Sequence, residues 1–291
     1  MELTRTHSSE IHAGGLRVGS CKRTFSMEDN RPIGIFDSGL GGLSVYREIR
    51  SLLRAEDVIY FADNAYCPYG TRSPHEINQR CEVISRMLLG MDVKVVVVAC
   101  NTASSVAIWH LRETFPGVEF IGLEPAVKPA VERSRTGKVG VLATPRTVAG
   151  ERLRWLIERF SNGVEVRSVA ATGLVELVEA GVLSGDDVER ALQPLLDPMI
   201  EAGVDEVVLG CTHYPFLRDA IQRYLGPEID VIDSGKAIAQ RSRFLLAEVH
   251  ALTSRTTVGR FRLLTSGESG SVADVASTLL GYQVAATSLA L

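Results

Sequence analysis

The sequence predicts an α/β protein built on parallel sheets and folded as two related halves. Three observations carry this. Short apolar runs alternate with segments of helical periodicity from residue 32 onward, the pattern of strands joined by crossover helices. One run, Lys94 to Ala99, holds four consecutive valines, the mark of a strand covered on both faces. The order of elements then restarts beyond residue 137.

The elements follow in order. Residues 1–30 read as a flexible extension, polar and poor in apolar residues. Pro32 to Phe36 is a buried strand, followed by the turn-rich loop Asp37-Ser38-Gly39-Leu40-Gly41-Gly42. Leu43, Tyr46, Ile49, Leu52 and Leu53 share one face of a helix over 43–53. Val58 to Ala62 is a strand, 63–74 a loop with Pro68, Gly70 and Pro74, and 75–90 a helix. After the valine strand a helix is expected over 103–115, then a strand over 118–123. The second half reads as strand 138–142, helix 147–160, strand 164–168, helix 186–202, strand 206–209, helix 215–225 and strand 230–232. A helix over 236–250, a strand over 258–264 and a helix over 271–281 close the chain.

The restart has a chemical consequence. Ile33-Gly34-Ile35-Phe36-Asp37-Ser38 resembles Val139-Gly140-Val141-Leu142-Ala143-Thr144, 106 residues further on. Val96 to Thr102 resembles Val207 to His213 at a spacing of 111 residues. Each half thus places a cysteine, Cys100 or Cys211, after a buried strand and ahead of an expected helix. Ligands of parallel sheets sit beyond the carboxyl ends of strands. A following helix would offer free N–H groups and lower a thiol's pKa. Inverting a tetrahedral carbon by proton transfer needs a base on one face and an acid on the other, and two opposed thiols meet that need. Taken alone, either cysteine is more often a small core residue; it is the matched pair that favours chemistry.

Polar residues surround both. Asp37 could orient or deprotonate a thiol, and Ser38 with the loop amides could hold a carboxylate. Turn and cap roles suit the same residues. Asn101 and Thr102 follow Cys100, and Thr212 and His213 follow Cys211, all able to bind a carboxylate or an ammonium group. Pro68-Tyr69-Gly70 is a candidate wall. A metal held by Cys211, His213, Cys100 and Asp37 is the weaker alternative, since Cys-x-His is not a common zinc spacing. The glycine loop lacks the lysine of a phosphate loop.

Composition excludes other classes. The 291 residues are 45% hydrophobic and 23% charged, with a net charge of −4, and a pI near 5.9. No basic field suggests nucleic acid. No apolar run suggests a membrane span, and residues 1–30 lack the apolar core of a secretory signal, so a cytoplasmic protein is expected. The five cysteines form no paired motif, which disfavours disulfides and structural zinc. Cys21, Cys67 and Cys81 carry no expected role in catalysis.

At this point the motifs resemble a family. Ile33 to Gly42, Tyr60-Phe61-Ala62-Asp63-Asn64, Cys67 to Ser73, Ala99-Cys100-Asn101-Thr102-Ala103-Ser104 and Gly210-Cys211-Thr212-His213-Tyr214-Pro215 are similar to those of the glutamate racemases, over residues 31–291. The resemblance implies two flavodoxin-like domains, 31–124 with 236–291 and 125–235, around one cleft. It implies racemisation of glutamate without pyridoxal phosphate, metal or other cofactor, supplying D-glutamate for peptidoglycan. By the same resemblance Cys100 and Cys211 are the acid/base pair. Asp37, Ser38, Tyr69, Gly70, Asn101, Thr102, Thr212 and His213 contact substrate, with Thr144 and Thr147 as further contacts. Asp37, His213 and Glu179 assist proton transfer; ahead of Glu179 the chain reads Ala170-Ala171-Thr172 where relatives often have Ala-Cys-Pro. The family also implies a homodimer and, for members with extensions like residues 1–30, activation by a cell-wall precursor. The rivals are a racemase of aspartate or another acidic amino acid, a ligand-binding α/β module without chemistry, and a cysteine hydrolase. The last leaves the second cysteine unexplained.

Overall fold

A computed structural model describes residues 29–291; the extension expected over 1–30 therefore lies, up to residue 28, outside the described residues. The chain runs β1 (Ile33–Asp37), α1 (Leu43–Leu52), β2 (Val58–Ala62), α2 (Pro74–Gly90), β3 (Val95–Val98), α3 (Asn101–Thr114), β4 (Phe120–Gly122) and α4 (Val127–Arg133). It continues β5 (Lys138–Ala143), α5 (Pro145–Ala149), α6 (Glu151–Phe160), β6 (Glu165–Ala170), α7 (Leu174–Glu179), α8 (Asp186–Ala202) and β7 (Glu206–Leu209). Then come α9 (Arg218–Leu225), β8 (Asp230–Ile232), α10 (Gly235–Glu248), β9 (Phe261–Thr265), α11 (Ser269–Leu280) and β10 (Ala286–Ser288).

Two sheets form, one ordered β10-β9-β2-β1-β3-β4 and the other β6-β5-β7-β8. Every pairing is parallel. The order β2-β1-β3-β4 recurs as β6-β5-β7-β8, so the sequence repeat is a repeat of topology. In such an order the crevice opens where neighbouring strands send their helices to opposite faces, between β1 and β3 and again between β5 and β7.

Alternation along the strands sorts the core. Ile33, Ile35, Tyr60, Val95 and Val97 pack with α1, α10 and α11, and this cluster runs on through Leu142, Val207 and Leu209 to α7, α8 and α9. Phe36, Phe61, Val96 and Val98 face α2 and α3. Val139, Val141 and Val208 face α4 and α6. The strands β1, β2, β3 and β7 are buried along their whole length, which is why they read as nearly unbroken apolar runs, whereas the edge strands β6, β8 and β10 are partly exposed.

Local signals explain the ends. Ser73 and Glu76 form a reciprocal capping box at the start of α2, with Pro74 in its first turn. Gly203 ends α8 in a left-handed conformation, φ +74°. Where the structure departs from expectation, the elements are short. Helix 147–160 is two helices, because Gly150 is extended between them. The four-residue segment Tyr214–Leu217 is a 3₁₀ turn, so α9 begins only at Arg218. The helices α4 and α7 and the edge strand β10 are additional to the expected elements.

Candidate active site

The carboxyl ends of β1, β3, β5 and β7 converge. Ser38, Tyr69, Gly70, Cys100, Asn101, Thr102, Cys211, Thr212 and His213 line one small cavity, together with Pro68, Thr144 and Val175. Of the expected site residues Asp37, Thr147 and Glu179 are off the wall; Asp37 is fully buried and reaches the wall through Ser38 and Thr212.

Cys100 stands two residues beyond β3 and caps α3, its sulfur accepting from the Ala103 amide at 3.4 Å. Its thiol lies 3.9 Å from the Ser38 hydroxyl. Burial, followed by the neighbouring Asp37 carboxylate, holds this thiol well above its ordinary value, and the Ala103 amide only partly offsets them. The helix start therefore does not lower the Cys100 pKa as the sequence suggests; desolvation outweighs the amide. Asp37 itself is raised, by burial first, against the opposing influence of His213 and the Gly42 amide.

The glycine loop also differs from expectation. The Ser38 and Gly42 amides donate to Asp37 at 2.7 and 2.6 Å, and the Leu40 amide donates to Glu179 at 2.6 Å. These amides serve protein carboxylates and are not free for a ligand. The loop needs its glycines because a methyl group at Gly41 would stand 2.2 Å from His213 Nδ1 and one at Gly39 2.1 Å from Glu179 Oε1.

Cys211 stands two residues beyond β7, but a 3₁₀ turn follows it and no helix is capped. The expected second helix start at a thiol is thus absent. Its partner is instead an imidazole: His213 Nδ1 is 3.6 Å from the sulfur, and Nε2 is 2.7 Å from Glu179 Oε1. Burial alone would push His213 down, yet its hydrogen bonds with Cys211, Cys67 and Glu179 hold it well above the ordinary imidazole value. Glu179 is lowered: burial opposes ionisation, but His213, the Leu40 amide and Asn64 outweigh it. Glu179 is thereby joined to the site at the last residue of α7. Cys67, expected to be idle, packs against the same His213 and Glu179.

A hydroxyl seam crosses the cleft. Thr102 Oγ1 on α3 meets Thr144 Oγ1 at 3.1 Å and Thr147 Oγ1 at 3.4 Å, both at the start of α5. The Tyr69 hydroxyl donates to the buried Asp63 at 2.5 Å, so Tyr69 offers the cavity its ring and backbone. Asn101 Oδ1 is buried with no partner among the described residues. Val175 was not foreseen, since an apolar residue in a six-residue helix reads as core. Among the described residues Cys67, Glu179 and His213 are the one group arranged to hold a metal; the set Cys211, His213, Cys100 and Asp37 is not so arranged.

Residues 33–241 match the family model described as Asp/Glu/Hydantoin racemase. The glutamate racemase of Herpetosiphon aurantiacus is 47% identical over 250 residues, covering 86% of this chain and 98% of the relative. The structure of glutamate racemase isoform RacE1 from Bacillus anthracis superposes with a TM-score of 0.83 at 30% identity, covering 90% of this chain and 98% of that one. Escherichia coli glutamate racemase, in complex with L-glutamate and the activator UDP-MurNAc-ala, superposes with a TM-score of 0.79 at 36% identity, covering 89% and 98%.

Proposed function

The chain belongs to the Asp/Glu/hydantoin racemase family, among the glutamate racemases, and from that premise we propose that it interconverts L- and D-glutamate by proton transfer between Cys100 and Cys211. The observation that carries the mechanism is that both thiols line one cavity, each beside its own proton-handling group. A thiolate removes the α-proton, the opposite thiol returns a proton to the other face, and the two exchange roles for the reverse reaction. On one side the proton of Cys211 can pass to His213 Nδ1, whose charge Glu179 balances. On the other side Cys100 keeps its proton beside Asp37 until a carbanion forms. The unpartnered Asn101 Oδ1 suits the α-ammonium, and the hydroxyls of Ser38, Thr102, Thr144 and Thr212 suit the carboxylates.

In the same reading residues 31–124 with 236–291 and residues 125–235 are the two domains, and the D-glutamate supplies peptidoglycan. No described helix is long and apolar enough to cross a membrane, and we place the enzyme in the cytoplasm as a homodimer. A cell-wall precursor of the kind bound by the Escherichia coli protein is the proposed activator. Rates unchanged by that precursor, or by deletion of residues 1–30, would overturn the last point.

The deciding experiment incubates pure protein with L-glutamate in D2O without added cofactor, following optical rotation and α-deuterium by NMR. Loss of rotation with deuterium entering the α-position supports the reading. Signals that stay constant with glutamate and change with aspartate would reassign the substrate.

A further inference from the structure

Cys67 is not needed for proton transfer, yet its sulfur converges with two groups that are. One donor atom each from Cys67, Glu179 and His213 lies within 4.8 Å of the other two. The convergence has a visible cause. A methyl group on Gly39 would meet Glu179 Oε1 at 2.1 Å and Cys67 Sγ at 2.9 Å, so both donors lean over the same bare backbone. The His213 and Glu179 side chains are 2% and 16% exposed, and Cys67 is half-buried. Because Nδ1 of His213 faces Cys211 at 3.6 Å, the nitrogen turned toward this group is Nε2.

A thiol, an imidazole and a carboxylate form a donor set suited to zinc and similar borderline divalent cations. With bonds of about 2.0–2.3 Å, zinc ligands stand roughly 3–4 Å from one another; here His213 Nε2 and Glu179 Oε1 are 2.7 Å apart and all three donor atoms lie within 4.8 Å of one another. We infer that Cys67, His213 Nε2 and Glu179 form an inhibitory site for a thiophilic divalent cation such as Zn2+, with water as fourth ligand. With Cys211 a thiol and His213 neutral, binding releases one proton to solvent, from the Cys67 sulfur, and shifts the His213 proton from Nε2 to Nδ1, with metal–sulfur and metal–nitrogen bonds formed in their place. His213 then keeps its single remaining proton on Nδ1 and can take none from Cys211. The inhibition rests on the two-thiol reading; the binding does not.

The test uses the full chain with Co2+ as a spectroscopic probe and Zn2+ as the inhibitor. A thiolate-to-cobalt absorption band is expected in the unaltered protein. It should persist in the Cys100→Ser/Cys211→Ser double variant and vanish in Cys67→Ser. A band that survives Cys67→Ser, or that disappears in the double variant, would overturn the site whether or not the protein racemises glutamate. Zn2+ should inhibit racemisation reversibly on addition of EDTA. Cys67→Ser, each rate being taken relative to that protein's own uninhibited rate, should need about an order of magnitude more Zn2+. Equal sensitivity of the two proteins would overturn the inhibitory role.

Discussion

The two halves of the molecule place the same residue at the same point of the same topology and surround it differently. Cys100 and Cys211 each stand two residues past the equivalent strand, β3 or β7. Yet Asp37 of the first half corresponds to Ala143 of the second, and Thr102 corresponds to His213. The first thiol has a carboxylate and a helix start; the second has an imidazole backed by Glu179. Each half lacks the other's proton-handling group. The fold fixes where the sulfur sits, and three or four neighbouring side chains fix how it handles a proton.

The sharpest way to break this comparison is to remove each sulfur in turn. Cys100→Ala and Cys211→Ala should each lower kcat/KM for racemisation by about 10³-fold or more. If one variant racemises within tenfold of the parent, the halves do not share the reaction. Removing the partners tests the difference instead. Asp37→Asn and His213→Asn should each lower kcat/KM by about 10²–10³-fold, equally for both enantiomers because their equilibrium constant is one. The primary isotope effect of α-deuterated glutamate should grow for opposite enantiomers in the two variants. Growth for the same enantiomer would show that the partners serve one thiol.

A smaller effect is expected from geometry alone. Gly41→Ala, whose methyl would stand 2.2 Å from His213 Nδ1, should lower the rate by about 10–100-fold with the fold intact. Gly90→Ala, which meets nothing within 4 Å, should leave it unchanged. Equal rates in the two variants would remove the glycine loop from the account of the second half. The smallest effect is on stability. Glu179 is held below its ordinary 4.5 and His213 above its ordinary 6.5. The pair's contribution is complete between those values, fades as pH falls through the lowered Glu179 value, and fades again as pH rises through the raised His213 value. Glu179→Gln should thus cost about 1.5–3 kcal/mol near about pH 5.5 and less at alkaline pH, by urea unfolding. A pH-independent difference would show that the pair is not charged.

Much of this was legible in the residues. The strands Val58–Ala62, Glu206–Leu209 and Asp230–Ile232 and the helix Asp186–Ala202 stand where the sequence puts them, because apolar runs bounded by polar residues and a 17-residue amphipathic segment closed by Gly203 carry their own boundaries. The helices α4 and α7, of seven and six residues, are too short to show a period. The turn after Cys211 was misread because Tyr214-Pro215 is equally compatible with an α-helical first turn. Both thiols and their flanking polar residues were visible through the repeat, and so was Thr144 as the counterpart of Ser38. The partnership of Cys67 with His213 was not, since residues 146 positions apart meet only after both loops are folded over Gly39.

The recurring strand order has a consequence for how such a molecule can arise and change. A unit of four strands with one cysteine, paired with an identical copy about a two-fold axis, would present two thiols of equal proton affinity. The state with one proton between them would then be degenerate, and any mutation would strike both sides at once. Joining the copies in a single gene lifts that constraint. Each sulfur becomes separately heritable, and selection can make one a resting acid while the other keeps a histidine.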